Sequence, residues 1–344
     1  MVAAVRESRI DAPGIGVSGE IVINNNNTRA VLVAGEIISS HDKLGALTKR
    51  LLSVPQPVTR RLLKGVTTIP LAVGTPLEDP TCIVEGSIPF SSDQGDNLFW
   101  LVAGKNTGDR EPDHELMNRQ RLIIDAVRTD GRYVTQTTED LIRYVRAANK
   151  DLVNFRLVQI TSDNVNGLTG SIAQTYIAAF DQYPYDVAET IATSCDVNLF
   201  VAALNDEDQV LSITGAEFIN VGGLSIAEIG DSASLPHMKG FGPLMKRFLL
   251  QKLVETDRVP SLCFTDSRVA FDGAVLKANR RAGFQLDGIM LPWHTVISSK
   301  ERDPAVTREI HTSDGPRRVE NMTMTWINRD SVHQVLSQYG TIRN

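Results

Sequence analysis

The sequence predicts an α+β protein of two domains. Three observations carry this expectation. The chain has 344 residues, and roughly 150 residues make a domain. Runs of β-branched residues joined by turns precede a strand–turn–helix unit. A polar stretch, Gly104 to His114, interrupts the pattern about a third of the way along. The expected division is a first domain over 1–110, a helical linker over 111–153 and a second domain over 154–335.

Composition narrows the classes. With 42% hydrophobic and 22% charged residues the chain is an ordinary folded protein. Its net charge of −6 argues against a general nucleic-acid partner, which needs a basic stripe. Cys82, Cys195 and Cys263 are far apart and form no CxxC pair, so neither a zinc ribbon nor a disulfide framework is expected. The six histidines are scattered, and no metal site is expected. No window offers the roughly 20 apolar residues of a membrane span, and the N-terminus lacks a signal-peptide core. A cytoplasmic protein without a membrane partner is the expectation.

Element by element, Glu20–Ile23 and Ala30–Val33 read as a hairpin around Asn24–Asn27. Leu44–Leu52 and Val58–Leu63 read as helices separated by Pro55 and Pro57. Strands are expected at Thr68–Val73, Cys82–Val84 and Asn97–Val102, and helices at Glu115–Val127 and Thr138–Ala147. The second domain opens with a strand at Arg156–Ile160 and a helix at Leu168–Phe180. Strands follow at Leu199–Ala203, Gln209–Ala216 and Ser225–Ile229, then a helix at Pro243–Val254. A strand at Ser261–Thr265, a helix at Asp272–Ala282 and a strand at Met290–Ile297 complete it. This alternation suggests a mixed sheet with helices on its faces.

Gly14-Ile-Gly16-Val-Ser-Gly19 matches GxGxxG but runs into the strand Glu20–Ile23, not into a helix, so it is no dinucleotide fingerprint. A stronger signal lies at Ala227–Phe248. Here a strand enters a turn with Gly240 and Gly242, and a helix with Pro243 at its first position and an apolar stripe at Leu244, Phe248 and Leu249 follows. Glycines allow close backbone approach, and a helix N-terminus favours a phosphate. Lys239, Lys246 and Arg247 add positive charge. Glycines also make ordinary tight turns, and that reading stays open.

His237-x-x-Gly240-x-Gly242 resembles the Q/R-x-x-G-x-G/A acetyl-coenzyme A loop of the GNAT superfamily of N-acetyltransferases. Asp272–Ala282 followed by Gly283-Phe284 is similar to that superfamily's last helix. More narrowly, Phe180–Pro184, Glu228–Pro236, Gly288 and Glu320–Trp326 resemble, in order, segments of β-lysine N6-acetyltransferases. Cys82–Pro89 resembles the E-G-x-I-P segment of their first domain, and Glu85-Gly86 is echoed by Asp287-Gly288. The resemblance implies a C-terminal GNAT-like mixed sheet flanked by helices, preceded by a smaller degenerate GNAT-like α/β domain.

It further implies acetyl-CoA as co-substrate, held by Ala233, Leu235, Lys239, Gly240, Phe241, Gly242, Leu244 and Asn279. Glu228 is the first candidate for the base and Asp231 the second, although side chains three apart on a strand face opposite sides unless a bulge intervenes. Tyr183, Tyr185, Glu320 and Asn321 are candidates for the acceptor site, and Trp326 for the core. The chain departs from the family at His237, at Pro243, which lacks an N–H, and at Asn279, where many members place a tyrosine acid. The implied activity is acetyl transfer to a primary amine of a small amino-acid-like metabolite. A CoA-binding module without turnover and a protein-lysine acetyltransferase are the alternatives, and a homodimer stays open.

Overall fold

The computed structural model describes residues 5–12, 17–24, 28–54, 58–152, 154–180, 187–269, 273–297, 305–312 and 315–342. These form two compact units. One comprises Met1–Leu122, Asn220–Ser225 and Gly288–Met324, the other Ile123–Ile219, Ile226–Asp287 and Thr325–Asn344. The division is not contiguous along the chain. Its cause lies in two long strands, Gln285–Ile297 and Gly315–Asn328, which each change unit partway. Gly288, at φ +82°, stands at one of these crossings, in a backbone conformation that glycine adopts without strain.

The first unit contains β1 (Val5–Ala12), β2 (Val17–Asn24), β3 (Arg29–Ala34), α1 (His41–Leu52), β4 (Arg60–Thr67), β5 (Ile83–Ser92) and β6 (Gly95–Asn106). Its sheet runs β1-β2-β3-β4-β6-β5. The expected hairpin is β2–β3, antiparallel from Gly19–Ala34 to Asn24–Arg29, while its central asparagines 25–27 lie outside the described residues. The segment expected as a second helix at 58–63 is strand β4, buried along its whole length and paired in parallel with β3. Two arginines between apolar residues leave no decisive period, and such a segment fits a strand as well as a helix turn. Residues 68–73, expected as a strand, form none. Leu44, Leu47 and Leu51 bring α1 onto this sheet.

The second unit holds α3 (Thr138–Ala148), β7 (Arg156–Ile160), α4 (Val165–Ala179), α5 (Val187–Ser194), β8 (Leu199–Leu204), β9 (Val210–Val221), β10 (Leu224–Ser234), α6 (Phe241–Glu255), β11 (Leu262–Arg268), α7 (Ala274–Ala282) and α8 (Arg329–Tyr339). Helix α2 (His114–Thr129) spans the boundary. With β12 (Gln285–Ile297), β13 (Thr307–Thr312) and β14 (Gly315–Asn328), the strands run β12-β14-β11-β10-β9-β8-β7, β13 lying on β14. One face packs on α6 through Val201, Ala227, Ile229 and Phe248, the other on α4 and α5 through Phe200, Ala202, Ile172 and Ile191. The protein is thus α+β, with mixed sheets flanked by helices.

The two sheets repeat one order. Reading β5-β6-β4-β3-β2-β1 against β12-β14-β11-β10-β9-β8, each strand has a counterpart. The parallel pairs β3–β4 and β10–β11 coincide, and one helix, α1 or α6, lies between the strands of each in sequence. Glu85-Gly86 and Asp287-Gly288 fall on the matching strands β5 and β12.

Candidate active site

Among the described residues, strands β10 and β11 share register at three positions, Ile226 with Leu262, Ala227 with Cys263 and Glu228 with Phe264. Beyond Glu228, β10 continues to Ser234 and β11 to Arg268 without pairing to each other. Two strands that part in mid-sheet leave main-chain groups for something else to satisfy. Their counterparts in the first unit stay joined. There β3 and β4 pair over five positions, and an Ile38–Thr67 bridge carries the pairing into the following loop.

The helices that follow differ in the same sense. Helix α1 begins on Ser40, whose hydroxyl accepts the Lys43 N–H at 3.3 Å. Helix α6 begins on Gly240, at φ +80° and with no side-chain cap, and Gly242 in its first turn is exposed. The N–H groups of that first turn have no intrahelical acceptor, and they point where an anion is favoured. Pro243 is the third helical residue, not the first, so its missing N–H removes no intrahelical bond. A Cβ at Gly240 would lie 2.5 Å from the Tyr144 ring, whereas one at Gly242 meets only Ala278 at 3.8 Å. Close approach by a ligand is therefore open at Gly242 and closed by Tyr144 at Gly240.

The remaining loop is clamped from within. The Lys239 N–H donates to Asn149 Oδ1 at 2.9 Å, and Asn149 Nδ2 donates back to the Lys239 carbonyl at 2.9 Å. The Leu235 N–H is taken by the Leu211 carbonyl. Ala233, Leu235, Phe241 and Leu244 have buried side chains, Phe241 meeting Phe155 edge-on at 5.3 Å, so any part they take in binding is through the main chain.

Two expected cations do not face the loop. Lys246 is buried and donates to Asn279 Oδ1 at 2.7 Å, and desolvation lowers its pKa to about 8. Arg247 is buried among the carbonyls of Gln136 and Ala282 and the Thr138 hydroxyl, and burial lowers its pKa to about 10. Asn279 uses its remaining donors on Ser267 at 2.7 Å and Thr325 at 2.9 Å. It is a tie between α6, α7 and two strands. Lys277 and Arg281 on α7, beside Ala278, bring the positive charge that Lys246 and Arg247 do not; their i,i+4 spacing was the available signal.

Glu228 is half-buried at the last shared position of β10 and β11. Its neighbours Ala227 and Ile229 pack on the α6 side, which directs Glu228 to the face of α4 and α5. Ala233, of the same parity as Ile229, packs on the α4 and α5 side instead, so the strand changes face between them. Asp231 lies in this stretch of β10. Tyr183 and Tyr185 lie outside the described residues. Glu320 and Asn321 belong to the first unit, where both are buried; Asn321 accepts the Trp293 N–H at 2.7 Å and donates to Gln120. Among the described residues no group of three or more metal-ligating side chains occurs, and no helix is long and apolar enough to cross a membrane.

No family model matches the chain, and no curated protein is similar to it in sequence. Solved structures are similar over part of it. A conserved protein from Enterococcus faecalis V583, described as a probable N-acyltransferase, is 20% identical over 38% of this chain and 32% of its own, with a TM-score of 0.29. The chain therefore spans about a third of that protein's length. Ribosomal-protein-S5-alanine acetyltransferase from Vibrio fischeri is 10% identical over 51% and 93%, with a TM-score of 0.37. A GNAT superfamily phosphinothricin acetyltransferase from Sinorhizobium meliloti, solved with AcCoA, is 13% identical over 51% and 88%, with a TM-score of 0.34.

Proposed function

We propose that the chain is an acetyl-CoA-dependent N-acetyltransferase of the GNAT type, whose second unit binds the coenzyme and whose first unit is a degenerate repeat of the same design. One observation carries the reading. The strands β10 and β11 part just before an uncapped helix start, while the matching strands in the first unit are bridged and their helix is capped by Ser40. The diphosphate would lie on the amides of Phe241 and Gly242, and the acyl arm along the unpaired edge of β10 beyond Glu228.

The acceptor would be a primary amine on a small amino-acid-like metabolite, of which β-lysine is the model. Such an amine is protonated near neutral pH, because its ordinary pKa is near 10. Glu228, on the face of α4 and α5, would take the ammonium proton, with Asp231 as second candidate. The neutral nitrogen then forms its bond to the acetyl carbon as the carbon–sulfur bond breaks, and the second proton that the nitrogen must lose passes through water to the departing thiolate. Main-chain N–H groups of β10 would stabilise the negative charge on the acetyl oxygen. Asn279 donates to Ser267 and Thr325 and accepts from Lys246, so it offers no acid for the departing thiolate. That observation favours a second reading, a CoA-binding module without turnover.

The deciding experiment follows thiol release from acetyl-CoA with a panel of amines that includes β-lysine and lysine. Turnover on one of them is expected. Tight coenzyme binding with no thiol release on any amine selects the second reading. Glu228→Gln should lower the rate at least about 100-fold at neutral pH, the scale of a lost general base. A variant rate within twofold of the parent's removes Glu228 from that role.

A further inference from the structure

The two flanks of the α6 start differ in charge. Around His237 and Met238 lies a cavity of about 390 Å³ lined by Asp151, Asp206 and Glu207 together with Lys150, an excess of negative charge that disfavours phosphate. The other flank, around Gly242 and Ala278, is basic and aromatic. Lys277 Nζ lies 5.2 Å from the centre of the Tyr133 ring, and the guanidinium of Arg281 lies 5.4 Å from it. Arg281 also lies 5.7 Å from the ring of Tyr144, the residue that closes over Gly240. Arg132 approaches Tyr133 at 5.7 Å but is ion-paired with Asp130 at 2.6 Å. Asp130 lies within electrostatic reach of Lys277 as well, but among the described residues neither Lys277 nor Arg281 makes an ion pair with it.

Several of the cation–ring contacts in the second unit therefore converge on two tyrosines beside one helix end, and Tyr144 is 47% exposed. Cations held over rings are oriented without being neutralised. Such a surface suits a ligand that has an aromatic base and a phosphate separate from the group bound at the helix end.

We propose that Lys277 and Arg281, set by Tyr133 and Tyr144, form a subsite for the 3′-phosphorylated adenosine end of the coenzyme, so that the protein selects coenzyme A over its dephosphorylated form. The inference rests on the acetyl-CoA reading above and specifies which end of the molecule reaches this flank. Two half-buried cations, each contributing a few-fold, give about tenfold discrimination at moderate salt.

The test is a calorimetric titration of the full chain with acetyl-CoA, with 3′-dephospho-acetyl-CoA and with adenosine 3′,5′-bisphosphate. The expected result is about tenfold tighter binding of acetyl-CoA than of the dephospho form, a ratio that shrinks as salt rises, and measurable competition by the bisphosphate. Lys277→Ala with Arg281→Ala should bring the two thioesters within about twofold, the larger loss falling on acetyl-CoA. Lys277→Gln with Arg281→Gln, which keeps more of the packing on Tyr133, should do the same. Equal affinities in the parent protein overturn this subsite while leaving the coenzyme reading intact. Absence of binding by either thioester overturns both.

Discussion

At the scale of single residues, the most informative side chain is Lys246. It is buried, it donates a hydrogen bond to the neutral Asn279, and desolvation takes its pKa from 10.5 to about 8. Below pH 8 both folded and unfolded chains carry this proton, and the full penalty of a buried charge is present. Between pH 8 and 10.5 the unfolded chain binds more protons than the folded one, so stability rises with pH across that window. Denaturant unfolding at pH 7.5 and 9.5 should show a gain on the order of 2 kcal/mol from this group. Lys246→Met should remove that part of the slope; an identical slope in the variant contradicts the assignment. Glu85 makes a complementary case. It is buried in the first unit and pairs with both terminal nitrogens of the equally buried Arg60. Glu85→Gln leaves a guanidinium without its counter-charge and should cost about 3–5 kcal/mol of unfolding free energy. A loss under about 1 kcal/mol would mean that Arg60 is compensated elsewhere.

At the scale of elements, much of the pattern was legible in the sequence. The hairpin β2–β3, the strands β7 to β11 and the helices α3, α4, α6 and α7 fall where apolar spacing and turn residues place them. The turn at 237–242 was found from its glycines because left-handed backbone at Gly240 demands one. Strand β4 is not legible as a strand, because six residues of mixed apolar and charged type carry no decisive period. The orientation of Lys246 and Arg247 was not legible either. Helix α6 is covered on more than one side, by strands and by α3, α7 and α8, so charged residues next to the loop in sequence end inside it. Gly240→Ala tests the turn itself. A left-handed alanine costs about 1–2 kcal/mol, and the new methyl also meets the Tyr144 ring. Thermal unfolding should show a clear fall in midpoint, and coenzyme affinity should fall with it as the helix start is displaced.

Taken whole, the molecule carries one strand order twice, with the parallel pair sealed in one copy and parted in the other. The sequence hinted at the repeat only through Glu85-Gly86 and Asp287-Gly288. The assignment of 288–324 to the first unit depends on how long strands are shared, which local periodicity does not encode. If only the second copy binds coenzyme, Ser40→Gly in the first should leave acetyl-CoA affinity within about twofold. The most direct measurement compares acetyl-CoA binding to the parent and to Gly242→Asp. The new side chain has room, with Ala278 at 3.8 Å from its Cβ, and an acidic residue in a first helical turn favours the helix. Folding should therefore persist while a carboxylate occupies the phosphate position, and affinity should fall at least about 100-fold with an unchanged melting temperature. Undiminished binding by a folded Gly242→Asp protein would contradict a coenzyme seat at the start of α6.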